Sequence, residues 1–117
     1  MAAQELASRS LIGTVDGAYL IDAARVMTDR SIGALGVYSP DGHDLIGVIT
    51  ERDITRAVAK GLNGSATRVT ELMSHPPVAA EGPVSRAEAA ELMRRGHVRH
   101  LIIRQGDSDR IVSIRDI

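Results

Sequence analysis

The chain has 117 residues, enough for one domain or two very small ones, with 44% hydrophobic and 25% charged side chains and a net charge of −1. Two Tyr with no Trp, Phe or Cys dictate an aliphatic core and exclude disulfides, zinc–thiolate sites, iron–sulfur clusters and thiol nucleophiles. Near-neutral charge without aromatic platforms argues against nucleic acid, no apolar run approaches the ~20 residues of a bilayer span, and Met1-Ala2-Ala3-Gln4-Glu5 lacks the features of a secretion signal, so a cytoplasmic, membrane-free protein is expected.

Taken in chain order, the apolar piece Leu11–Val15 reads as an edge strand. Leu20, Ile21, Ala24 and Met27 then form a helical stripe over about 20–29. Two short strands follow at 34–38 and 45–49, joined by Ser39-Pro40-Asp41-Gly42, where Pro presets φ and Gly tolerates positive φ. A helix is expected over 51–60, with Ile54, Ala57, Val58 and then Leu62 on one face and Gly61 as its stop. Gly61 to Ala66 is a loop, and the sequon-like Asn63-Gly64-Ser65 within it reads as plain loop. Pro77–Ala80 is a second edge strand, and 85–95 a second stripe, with Ala87, Ala90, Leu92 and Met93, closed by Gly96. Strands near 99–104 and 109–113 flank Gln105-Gly106-Asp107-Ser108. Met27, Met73 and Met93 stand at core spacing and are assigned to packing.

The elements repeat. Glu5-Leu6-Ala7-Ser8 matches Glu71-Leu72-Met73-Ser74 at a shift of 71 − 5 = 66, which also brings Ala23, Ala24, Met27 and Leu35 onto Ala89, Ala90, Met93 and Leu101. After a shorter turn the shift is 63, and Val48-Ile49-Thr50-Glu51-Arg52-Asp53-Ile54 meets Ile111-Val112-Ser113-Ile114-Arg115-Asp116-Ile117. The fold class is therefore α+β, two tandem β-α-β-β-α repeats at 4–62 and 70–117 around a linker at 63–69, related by a pseudo-two-fold. The second copy stops at Ile117, the partner of Ile54, so its last helix is expected to be missing or a stub.

Gly47-Val48-Ile49-Thr50-Glu51-Arg52-Asp53-Ile54, Val69-Thr70-Glu71-Leu72-Met73-Ser74 and Val98-Arg99-His100-Leu101-Ile102-Ile103 resemble, in register and twice over, a pair of CBS domains, or Bateman module. The resemblance runs from Gln4 to Ile117. It implies a module that binds an adenosine-containing ligand in the cleft between repeats: AMP, ADP, ATP or S-adenosylmethionine. It also implies a homodimer that regulates an attached or partner effector protein, catalyses nothing and needs no obligatory cofactor.

The duplicated polar cluster can be read physically beside that resemblance. A strand ends, Thr50 or Ser113 follows, and Asp53 or Asp116 comes three residues later in the first turn of a helix. Unpaired N–H groups at a helix start suit a phosphate, and a hydroxyl can donate once more to it. Ionised Asp53 and Asp116 only accept, so they suit ribose hydroxyls, while Arg52 and Arg115 can balance phosphate charge. Adenine would rest on Ile12 and Gly13 of one edge segment and Val78 and Ala79 of the other. The same spacing also describes a helix cap with a hydroxyl at N-cap and an acid at N3, and the two roles can coexist.

The copies differ around the central strand, where His97, Arg99 and His100 face Ser31, Gly33 and Ala34 of the first copy. The resemblance implies a basic residue against phosphates there, making Arg99 the candidate and the two pockets unequal. The alternative is that Arg99 and the histidines only solvate a strand end. Histidines at a real site would make affinity pH-sensitive near ~6.5.

Other chemistries lack parts. His97 and His100 enter a strand, where a spacing of three puts them on opposite faces, and neither has a carboxylate companion, so no metal site is expected. Asp41-Gly42-His43-Asp44 and Asp107-Ser108-Asp109 are too short of ligands for calcium. Lys60 is the only lysine, and no serine stands in a nucleophile elbow. The competing class is a ligand-free dimerisation and interaction scaffold of the same fold, with Ile21, Ala24, Ile54 and Val58 as its surface. A third reading, nucleic acid held by Arg94, Arg95 and Arg99, conflicts with the net charge.

Overall fold

The computed structural model describes residues 8–117; the matched Glu5, Leu6 and Ala7 lie outside the described residues. In chain order the elements are β1 (Arg9–Ser10), β2 (Gly13–Val15), α1 (Leu20–Arg30), β3 (Ala34–Tyr38), β4 (Leu45–Thr50), α2 (Glu51–Ala59), a 3-10 turn (Val69–Glu71), β5 (Ala79–Glu81), α3 (Arg86–Gly96), β6 (His100–Gln105), β7 (Ser108–Ser113) and a closing 3-10 turn (Ile114–Asp116). The chain is α+β, and the edge strand, first helix and hairpin of each repeat are present. Where α2 has a counterpart in the repeat register, only the three-residue turn Ile114–Asp116 is found.

The chain forms two compact units, one of Ile12–Pro77 and one of residues 8–11 with Val78–Ile117. In the first, β2 runs parallel to β3 and β3 antiparallel to β4. Leu35, Val37 and Ile49 of this sheet are fully buried against Leu20, Ala23 and Met27 of α1 and Ala57 of α2. Each Leu, Ile, Val or Met among them contributes roughly 1.5–3 kcal/mol when removed from water. In the second, β5 runs parallel to β6, and β6 antiparallel to β7. Leu101, Ile103 and Val112 pack on Ala89 and Met93 of α3, the repeat partners of residues in the first core.

The compact units cut the chain elsewhere than the sequence repeats do, and the reason lies in the two lead-ins. β1 adds antiparallel to β7, with Arg9 opposite Ile111, and joins the sheet β1-β7-β6-β5. Sixty-six residues after Ser8, Ser74 bridges Val48 of β4. Val69, just upstream, is wholly buried in the first core. Each unit is thus the body of one repeat plus the lead-in of the other.

Two local expectations need correction. Gly96 does not end α3 by adopting positive φ; His97 does, at 54°, as Ser31 does after α1. Gly96 is instead small for packing, since a Cβ there would stand 2.8 Å from Val78 Cγ2. Nor does the apolar face of α2 extend to Leu62: the helix ends at Ala59, Gly61 turns at φ +76°, and Val58 and Leu62 are 72% and 40% exposed.

Candidate functional site

In each unit three strand ends meet a helical start. In the first unit β2 begins, β3 begins and β4 ends together, because Ala34 pairs with Thr50 and the Gly36 N–H donates to Ile12 O at 2.9 Å. In the second, His100 pairs with Ser113 and the Ile102 N–H donates to Val78 O at 3.0 Å. The backbone therefore gathers Ile12, Gly13, Thr50, Arg52 and Asp53 at one end of one sheet. It gathers Val78, Ala79, Arg99, His100, Ser113, Arg115 and Asp116 at the corresponding end of the other.

Thr50, extended at φ −122° and ψ 164°, is the last residue of β4 and at the same time the N-cap of α2, its side chain capping the helix. The Asp53 N–H donates to Thr50 Oγ1 at 3.2 Å. In return Thr50 donates to Asp53 Oδ2 twice, through its N–H at 2.9 Å and its hydroxyl at 3.0 Å. Asp53 is only 7% exposed, so this reciprocal pair is what makes a buried carboxylate tolerable. Both bonds from Thr50 fall on Oδ2, leaving Oδ1 to accept from outside the pair. The second corner is built the same way but more loosely. The Ser113 N–H donates to Asp116 Oδ2 at 3.1 Å, and the Arg115 N–H to Ser113 Oγ at 3.2 Å. The half-buried Asp116 is less enclosed than Asp53.

The remaining candidates differ in accessibility. Arg52, Arg99 and Arg115 are exposed, as are Gly13 and Ala79, while Ile12, Val78 and His100 are half-buried. A Cβ on Gly13 would fall 2.6 Å from Tyr38 Cε2, so the aromatic ring already covers one side of the first edge strand. His97 caps α3 through its backbone, its N–H donating to Arg94 O at 3.2 Å.

Two residues of the corner carry no signal in motif spacing. The Gly33 carbonyl accepts from the Glu51 N–H at 2.9 Å, tying the start of β3 to the start of α2. Glu51 also folds its carboxyl group over Gly33, where a Cβ would meet Oε1 at 2.8 Å. Only the repeat alignment of 33 with 99 and of 51 with 114 hints at their pairing. Among the described residues no three His, Asp or Glu side chains are grouped to hold a metal ion, and no helix is long and apolar enough to cross a membrane.

A family model described as CBS domain matches residues 3–60 and again 69–117. The chain is 34% identical over 98 residues to the CBS domain-containing protein YhcV of Bacillus subtilis, covering 82% of this chain and 68% of that one. It is 30% identical over 80 residues to the protein YlbB of the same organism, covering 68% of this chain. It spans only 54% of YlbB, and 18% of a CBS domain-containing protein of Arabidopsis thaliana that it also matches. Among solved structures, a CBS domain protein of Pyrobaculum aerophilum complexed with AMP superposes with a TM-score of 0.81 at 25% identity, over 92% of this chain and 83% of that one. The matched segments are the two repeats already traced in the strands and corners, and the chain belongs to the CBS domain family, with two of its domains in tandem.

Proposed function

We propose that the chain is a regulatory module that binds an adenosine nucleotide at its sheet-to-helix corners and passes the bound state to an effector protein. The observation that carries the reading is the Asp53 carboxylate: buried, capped through Oδ2, and left with Oδ1 as an acceptor for a ribose hydroxyl. The capping and ligand roles thereby use different oxygens of one side chain. Support comes also from the similar protein of Pyrobaculum aerophilum, which was solved with AMP. Exposed Arg52, Arg99 and Arg115 supply cations for phosphate. A ligand of this kind acts on an effector only through its differential affinity for two arrangements of the module.

Calorimetric titration with AMP, ATP and S-adenosylmethionine tests this directly. Saturable binding is expected, lost in Asp53→Ala and weakened in Arg99→Ala while both variants still melt cooperatively. Absence of heat with all three ligands would overturn the reading. The scaffold alternative would then stand, favoured by the 72% exposed Val58 on α2, with assembly into a homodimer as its measurable property.

A further inference from the structure

The two corners share a backbone frame but carry opposite charges at one place. The Glu51 N–H donates to Gly33 O at 2.9 Å, and in the other unit the Ile114 N–H donates to Arg99 O at 2.8 Å. Positions 33 and 99 are thereby equivalent, and so are 51 and 114, within each unit's own frame. At the first corner position 33 is bare, and the Glu51 carboxyl group lies over it, Oε1 at 2.8 Å and Cδ at 3.2 Å from where a Cβ would be. At the second corner the exposed Arg99 occupies that position, and its neighbour, Ile114, is uncharged and 41% exposed. The hydroxyl and the acid that would face a sugar, Thr50 with Asp53 and Ser113 with Asp116, are common to both. Both corners thus offer a sugar the same kinds of group, while the charge beside those groups is opposite.

We infer that Glu51 is a selectivity residue: it turns phosphate away from its own corner and reserves that corner for an uncharged or cationic adenosyl ligand, leaving phosphorylated nucleotides to the Arg99 corner. The inference rests on the adenosine reading above and narrows it to two ligand classes in one chain. A carboxylate about 6 Å from the nearest phosphate charge in a partly wet corner weakens binding roughly three- to tenfold, and salt screens the effect.

Calorimetry of the full chain with adenosine and with ATP, at low and high salt, tests it. Glu51→Gln is expected to raise the ATP-to-adenosine affinity ratio about three- to tenfold, the gain shrinking as salt rises. Glu51→Lys, which reverses the charge, is expected to raise it further, and Arg99→Gly to lower it. Circular dichroism melts verify that each variant is folded. An unchanged ratio in both Glu51 variants overturns the selectivity role while leaving adenosine binding intact. Failure of the unaltered chain to bind either compound overturns the adenosine reading and this inference with it.

Discussion

Ser31 and His97 hold a left-handed backbone at the same point of the two repeats, each at φ 54°. A non-glycine residue there carries steric strain, tolerated because its N–H closes the end of the helix onto carbonyls such as Met27 O and Met93 O. Glycine, the usual occupant, is spent one position earlier in the second copy, where Gly96 lets α3 approach Val78. This is why a glycine after a helical stripe misled the boundary: sequence shows that a residue is small, not whether smallness serves φ or contact. Gly47 is a second contact glycine, since an added Cβ would stand 2.8 Å from the backbone carbonyl of Ser74. Gly47→Ala is expected to cost about 1–3 kcal/mol in urea unfolding. Gly64→Ala, whose Cβ would find its first neighbour only at 3.7 Å, should fall within about 0.5 kcal/mol of the unaltered protein. Equal effects would show that contact is not what Gly47 serves.

Helices and strands were legible wherever apolar spacing was regular. α1, β3, β4 and α2 begin and end within about a residue of their expected bounds because Leu20, Met27, Leu35 and Ile49 mark buried faces of fixed period. The turn Val69–Glu71 was not, for three residues carry no period. It is held by a single buried Val69 and by the Glu71 carboxylate accepting the Arg68 N–H at 2.9 Å, while the Arg68 guanidinium lies 4.6 Å over the Tyr19 ring. The helix starts show how far a motif can be trusted. Ser85 caps α3 as Thr50 caps α2, its hydroxyl accepting the Glu88 N–H at 3.1 Å, yet only the Thr50 corner adds a buried acid. Ser85→Ala should therefore lower stability by about 1 kcal/mol by thermal melt, and leave ligand titrations unaltered. A change in ligand affinity would mean that capping, not the acid, governs the corners.

At the level of the whole chain, the duplication was readable from the 66- and 63-residue shifts, but the exchange of lead-ins was not. A strand of two residues, Arg9–Ser10, has no detectable alternation, and its place beside β7 is decided by distant partners. Arg110 supplies them: its Nε donates to Ser8 Oγ at 2.8 Å and a terminal nitrogen to Ser8 O at 2.7 Å, while the Leu11 N–H donates to Asp109 O at 3.0 Å. Removing those side-chain bonds in Arg110→Ala should speed exchange of the Leu11 amide roughly tenfold, as expected for one or two hydrogen bonds of ~1 kcal/mol. Unaltered exchange would show that the strand pairing alone suffices.

The crossed lead-ins make severing the chain at the Gly61 loop a different act from separating its compact bodies. The front fragment would keep residues 8–11 but forfeit Val69 and Ser74, and the rear fragment the reverse, so each would retain the piece its counterpart lacks. Two such fragments would be complementary parts of a split protein, not a pair of self-sufficient ones.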